Sequence, residues 1–398
     1  STLNVYNWSG EVIARNNRGV EVLFQPSFRE GTFNSQVHRL NLAWRIKPSH
    51  TLKVSSFLSD QSVEGNDPLA ARINGVDPNA IPSFLTRSIS GISYESEWIG
   101  GRLESILFGK YYYYDQSAAD FRPSSADRIF EYRQEDNETG YGAGLKFTVN
   151  ENFFIRSSYE QAIRIPTKDE VFGDFLTIEP NFALRPEKSK NLNAGFFYKQ
   201  NIGTEKYISL DANWFLRDQS DLIRLEPGRN ENDPAQFVNE NEADARGMEL
   251  TLSAVPIKKL ELTGSLTLQE VIKDGIPNPT NSNGIGSAIP NIPITFYNLS
   301  ARYQFGSPFA KKDDIFVFAY YTFVDEFDLI FQTTRNEQNI IPTQRQVDAG
   351  LTYRMNKARL SLTLEAGNIL DAEVFDNFRV PKPGRNFSFK IRYLFQNL

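Results

Sequence analysis

Two histidines, His38 and His50, and no cysteine are all that 398 residues offer toward imidazole or thiol chemistry. A Ser/His/Asp or Asp/His centre needs a histidine beside other polar groups. His38 shares a strand face with Leu40 and Leu42, and His50 falls in a turn, so neither is placed for catalysis. No HExxH, GxSxG or phosphate-loop pattern occurs. The reading is a non-enzyme with no disulfide, no Cys/His metal site and no cofactor. Glu226–Asp244 is rich in oxygen donors: Asn230, Glu231, Asn232, Asp233, Glu240, Glu242 and Asp244. It could hold calcium, but the spacing matches no EF-hand, and it is read as a solvated acidic loop.

What remains is the chemistry of binding. Three long connections carry arginines beside aromatics, a pairing that suits a chelate or another polar, partly aromatic ligand, or packs the loops against each other. Their candidate substrate-facing residues are Arg72, Arg122, Arg128, Tyr132, Arg164, Phe172 and Arg185. A second set of charges recurs at every other position of apolar-faced segments: Arg156, Glu160, Asp211, Arg217, Glu249, Arg302, Asp348, Arg354, Glu365 and Arg392. Mixed charges on an inward face can pair across strands or solvate a channel.

The elements that must position these residues are strands. Phe387, Phe389, Ile391, Tyr393 and Phe395 alternate with Asn386, Ser388, Lys390 and Arg392. A period of two with one large apolar face is the signature of a half-exposed strand. The same template finds about sixteen strands from Gly19 onward, beginning with Gly19–Phe28 and Gln36–Ile46 as a first pair. Residues 1–17 hold one more strand and a turn. Tyr207–Leu225 and Gln236–Val255 are unusually long. Short connections near Lys47–His50, Ile99–Gly101, Asn150–Glu151, Asn201–Lys206, Pro256–Lys259, Gly306–Asp314 and Asn356–Ala358 alternate with long ones. The long ones are Asp60–Thr86, Asp115–Thr139, Gln161–Lys188, Glu270–Ile294, Val324–Arg345 and Asn368–Arg385. An outer-membrane barrel, with short periplasmic turns and long outer loops, explains this alternation; a soluble sandwich does not. Tyr111–Tyr114, between Lys110 and Asp115, is read as an interfacial girdle rather than a buried cluster.

Composition agrees. The chain is 40% hydrophobic and 13% aromatic, with 31 Phe and 17 Tyr. No apolar run approaches the ~18 residues of a spanning helix, whereas a spanning strand needs only ~10 with half of them apolar. The net charge of −6 gives nucleic acid no basic surface. No signal peptide opens the chain, so Ser1 is not the translational start of an exported protein.

In these positions the chain resembles the barrel of TonB-dependent outer-membrane receptors. The resemblance runs from about Gly140 onward and rests on ordered pieces: Arg164–Gly173 (RIPTKDEVFG), Asn181–Ser189 (NFALRPEKS), Phe237–Glu240 (FVNE) with Arg246–Leu250 (RGMEL), Asn291–Ile294 (NIPI), Gly367–Asp371 (GNILD) and Pro383–Asn386 (PGRN). It departs at the terminus, where Gln396, Asn397 and Leu398 follow the last aromatic. The resemblance implies an all-β, transmembrane antiparallel barrel that crosses a bacterial outer membrane many times, here with about sixteen strands of a barrel of about 22. Residues 1–398 would then be one partial barrel domain, without its N-terminal plug and first strands. It also implies a substrate bound at the outer loops and imported with TonB-coupled energy. The partners would be membrane lipid, the plug of the same chain, the coupling complex and a small molecule, glycan or peptide. Inward charges would meet the plug. A passive porin-like channel and a scaffold for other outer-membrane or surface proteins are the alternatives.

Overall fold

The computed structural model describes residues 2–6, 12–15, 21–24, 28–66, 80–121, 129–174, 178–226, 228, 234–273, 288–306, 312–330, 336–375 and 380–395. For those before residue 31, and for 66, 120, 121, 241 and 273, it describes the backbone alone. Strands β1 (Thr2–Tyr6), β2 (Val12–Arg15), β3 (Glu21–Phe24), β4 (Phe28–Lys47), β5 (His50–Asn66), β6 (Ser83–Trp98), β7 (Leu103–Phe121), β8 (Ile129–Asn150) and β9 (Phe153–Arg164) precede a one-turn helix, α1 (Lys168–Phe172). Then come β10 (Ile178–Glu179), β11 (Glu187–Gly203), β12 (Lys206–Glu226), β13 (Ala235–Val255), β14 (Leu260–Lys273), β15 (Thr295–Gly306), β16 (Asp314–Val324), β17 (Phe327–Asp328), β18 (Ile340–Ile341), β19 (Gln344–Met355), β20 (Leu360–Gly367) and β21 (Asn386–Tyr393).

The long strands pair antiparallel in chain order, β4 to β9, then β11 to β16, then β19 to β21, as one meander. The expected pairing of Gly19–Phe28 with Gln36–Ile46 is not found. Glu21–Phe24 instead makes a small hairpin with Val12–Arg15, while β1 pairs with the start of β4. The one strand expected within residues 1–17 is replaced by two short ones, β1 and β2, and each expectation from Gln36–Ile46 onward falls on one of the meander's strands.

Register explains why the sequence alternates so widely. Opposed residues share a face, so one apolar row can run through many strands. Trp44, Leu52, Tyr94, Leu107, Ala143, Tyr159, Leu192 and Leu216 form such a row across β4–β12. Leu210, Leu252, Gly264, Leu299, Tyr321 and Val347 form another across β12–β19. Among the described residues nothing covers this face: Trp44 is 65% exposed and Phe389 is 63% exposed. A soluble sheet does not leave a face of this size bare. Among the described residues, no helix is long and apolar enough to cross a membrane.

The strands are taller than a bilayer requires. β8 has 22 residues and β12 and β13 have 21 each, against the ~10 of a spanning strand. Much of what reads as the long connections Asp60–Thr86 and Asp115–Thr139 is therefore strand: β5 continues to Asn66, β7 to Phe121, and β8 begins at Ile129. β20 and β21 have only eight residues each, so the wall is tall along β7–β13 and low along β20–β21.

On the polar face three aromatic rings lie over directly opposed glycines. Phe108 faces Gly142, Phe215 faces Gly247, and Phe318 faces Gly350. A Cβ on Gly247 would come 2.5 Å from the Phe215 ring and 2.5 Å from the Leu268 carbonyl oxygen. The glycine is the space the ring occupies. Gly247→Val is expected to cost about 1–3 kcal/mol, read as a lowered urea midpoint of the refolded barrel. Phe215→Leu in the same chain should recover part of that loss; an additive double mutant would show that the pair does not interact.

Candidate functional site

Where β9 ends, the chain folds back against the polar face instead of standing off the rim. Pro166 removes a ladder donor and stops the strand. Glu170 accepts a hydrogen bond from the Thr167 amide at 2.7 Å and closes the start of α1. Val171, Phe172 and Leu184 then join Val63, Leu85, Tyr112, Tyr114, Ala118, Ile163, Ile165 and Ile223 in a buried cluster. The wall also holds the segment by its backbone: Gln116 donates to the Phe182 carbonyl at 2.6 Å and Tyr114 to the Leu184 carbonyl at 3.4 Å. Burial pushes the Tyr114 phenol above its ordinary range.

Arg164 ties this fold-back together. It donates to both oxygens of Glu187 at 2.6 and 2.7 Å and to both oxygens of Glu170 at 2.9 Å. Glu187 also accepts from the Ile223 amide at 2.7 Å. Burial alone would lower the Arg164 pKa; the hydrogen bonds and charges of Glu187 and Glu170 outweigh it and hold the guanidinium above its ordinary value.

Two expected ligand-facing residues are therefore placed differently. Phe172 is 5% exposed and belongs to the cluster, and Arg164 is taken up by two carboxylates. Packing a short helix onto the wall requires an apolar anchor and a counter-charge, and these two residues supply them. Arg185 is half-exposed and donates to Asp221 at 2.9 and 2.5 Å. Tyr132 donates to Gln134 at 3.0 Å and stacks on Phe182. Arg72, Arg122 and Arg128 lie outside the described residues. The Tyr111–Tyr114 run divides by alternation rather than forming a girdle. Tyr111 is exposed on the apolar face, while Tyr112 and Tyr114 are buried on the other.

All ten expected inward charges share the polar face. Arg156 pairs with Asp211 at 2.5 Å, and Glu160 with Lys110 at 2.8 Å. Arg302 stands 3.6 Å from Glu261. Arg217 lies over the Phe215 ring and Arg354 over that of Phe316. Asp348 accepts from Gln346 and from the Asn368 amide. Arg156, Asp211 and Glu249 line one cavity of about 810 Å³ with Glu95, Glu104 and Lys146. The other seven, Glu160, Arg217, Arg302, Asp348, Arg354, Glu365 and Arg392, stand elsewhere on the face.

The acidic stretch is less of a loop than expected. β12 runs to Glu226 and β13 starts at Ala235, and Glu240 is 5% exposed beside Arg224 at 3.3 Å. Of the two histidines, His38 is exposed and opposite Leu58, and His50 stacks on Tyr94 and contacts its hydroxyl at 2.7 Å. Among the described residues the arrangement presents paired and unpaired polar side chains along one face of the sheet.

A family model described as TonB dependent receptor-like, beta-barrel, matches residues 3–369. No curated protein sequence matches the chain. Among solved structures, the copper transporter OprC superposes with a TM-score of 0.69 at 14% identity, over 92% of this chain and 57% of its own. The siderophore receptor PiuA from Acinetobacter baumannii gives 0.66 at 15% identity, over 92% and 56%. BauA, the ferric preacinetobactin receptor from the same organism, gives 0.61 at 14% identity, over 92% and 55%. The chain spans a little over half the length of these proteins, and at such identities they establish the fold: a transmembrane antiparallel β-barrel.

Proposed function

The chain belongs to the TonB-dependent receptor-like β-barrel family, and we propose that it forms the wall of an outer-membrane importer. In this reading the apolar face meets lipid and the polar face lines a lumen. A plug domain of the same protein fills the lumen, and TonB-type coupling supplies the energy. The observation that carries the reading is the antiparallel register, shifted in three pairs only beside the short turns, which sets apolar residues on one face and charged ones on the other from β4 to β21. The relatives' names point to metal ions and ferric chelates as the first solutes to try. Arginines beside aromatics in the outer loops are the residues that would meet such a solute.

The test is accumulation of copper and of a panel of ferric chelates in cells carrying the full protein, with and without a protonophore. One solute is expected to accumulate, and collapse of the proton gradient should cut its uptake at least about tenfold. Uptake that ignores the gradient would favour a passive channel. The alternation of connections also supports one orientation, with the long connections outside. Protease added to intact cells should cut within Glu270–Ile294 and spare Gly306–Asp314; the reverse would invert the topology.

A further inference from the structure

The carboxylates are not spread evenly along the chain. The six long connections and Glu226–Asp244, between β12 and β13, hold 31 of the 49 Asp and Glu but only 15 of the 43 Lys and Arg. The short connections reverse the balance, with seven lysines to four carboxylates. The antiparallel meander puts the long connections at one end of the strands and the short ones at the other. The two rims therefore carry opposite net charge, strongly negative where the long connections gather.

The cations at the negative rim are already answered. Arg133 pairs with Asp115 at 2.9 Å, Arg164 with Glu170 and Glu187, Arg185 with Asp221, Lys168 with Asp169, and Lys188 with Glu138. Arg164 and Arg185, which read from the sequence as ligand-facing, are thus neutralised within the wall. Carboxylates remain in excess beside them: Glu131, Glu179, Glu242 and Asp244 are exposed. Asp244 even stands directly opposite Asp218, with Lys190 at 3.0 Å from Asp218. Like charges facing each other across a strand pair weaken a sheet, so this wall carries negative charge at a cost to its own stability.

Among the described residues no three are grouped to hold a metal ion, and the excess acts instead as a field over the mouth. An opening lined by one sign of charge raises the local concentration and arrival rate of opposite charges by ~10–10³ and depletes like charges. We infer that the solute admitted by this wall carries net positive charge, and that the outer mouth is an electrostatic filter that gathers cations and turns anionic chelates away. The inference rests on the reading of the chain as the wall of an importer and narrows the class of solute that reading allows.

The test uses full-length protein in a neutral detergent, any cysteine outside these 398 residues being changed to serine. A pyrene label on Ala183→Cys, exposed on the folded-back segment, reports the mouth, and one on Ala358→Cys reports the opposite rim. Each is quenched by thallium(I) and, separately, by iodide, with neutral acrylamide correcting for access. At low salt, thallium(I) is expected to quench at Ala183→Cys at least about threefold more efficiently than iodide. The preference should vanish at about 0.5 M salt and be absent at Ala358→Cys. Glu131→Gln, Glu179→Gln, Glu242→Gln and Asp244→Asn together should lower it by about half or more, with heat-modifiable electrophoretic mobility confirming the fold. In cells, the solute that accumulates with the proton gradient should be cationic. The same four substitutions should raise its half-saturation concentration at least about threefold with little change in maximum rate. Equal quenching by the two ions at Ala183→Cys, or gradient-driven uptake of an anionic chelate, overturns the inference and leaves the importer reading standing. A thallium(I) preference without gradient-driven uptake of any solute overturns the importer reading instead.

Discussion

Leu250→Arg is expected to impair assembly by ~2–4 kcal/mol, and Thr251→Arg, one residue along, to be tolerated. The two positions share a strand and differ in face. Leu250 opposes Ala212 on one side and Leu266 on the other, within the apolar surface. A guanidinium there must be drawn into hydrocarbon near mid-strand. Thr251 opposes Asp211 and Ser265 and lines the cavity with Glu249 and Arg156, where an added cation meets water and carboxylates. Heat-modifiable mobility and urea midpoints of the two variants, refolded side by side, measure the difference. Equal damage would mean that the faces are assigned wrongly.

Arg164→Ala should have the second large effect. It leaves Glu170 and Glu187, each with a side chain 13% exposed, without their shared cation. Removing one partner of a buried pair costs about 3–5 kcal/mol; because the Arg164 side chain is 40% exposed, about 1–3 kcal/mol is expected here. The loss should be local. The segment from Ile165 to Pro186 would leave the wall before the barrel unfolds, and trypsin would reach Lys168 faster. Glu187→Gln should do less, since Glu170 keeps Arg164 in place. Protection of Lys168 that is the same in wild type and Arg164→Ala would show that the apolar cluster alone holds the segment.

The strands were legible because their signal is local and repeated. Most of them alternate large apolar residues with polar ones, less clearly in Arg87–Trp98 and Arg102–Tyr114, and Trp44, Leu252 and Phe389 declare their face without reference to any partner. The short turns were legible for the same reason: positive backbone angles at Gly100 and Gly101, at Glu205 and at Lys259 sit at three of the expected reversals. What escaped depends on contacts between distant segments. Nothing near Phe172 or Leu184 announces that they meet Leu85 and Tyr114, so a residue that reads as a loop aromatic is a core residue. Tyr111–Tyr114 misled because four identical side chains hide the alternation that divides them. The Phe215–Gly247 pair was half legible. Gly247 reads as a close approach within a strand, but the ring it accommodates is 32 positions away in the chain.

The charged residues divide the same way. Sequence placed Arg156, Asp211, Glu249 and Arg354 on one face because the period of two is enough for that. Which carboxylate answers which cation is set by the register between strands. The pairing of Lys53 with Glu95, Lys146 with Glu104 and Arg156 with Asp211 therefore appears only in three dimensions.

The most direct measurement uses the absence of cysteine from these 398 residues. Single cysteines placed at Leu250, Thr251, Leu252 and Ser253, and at Leu262 and Thr263 on the neighbouring strand, can be titrated in native outer membranes with a water-soluble and a lipid-soluble thiol reagent. The account predicts strict alternation: positions 250, 252 and 262 react only with the lipid-soluble reagent, and 251, 253 and 263 only with the water-soluble one once the lumen is open. Uniform reaction with the water-soluble reagent along both strands would contradict a membrane-spanning wall.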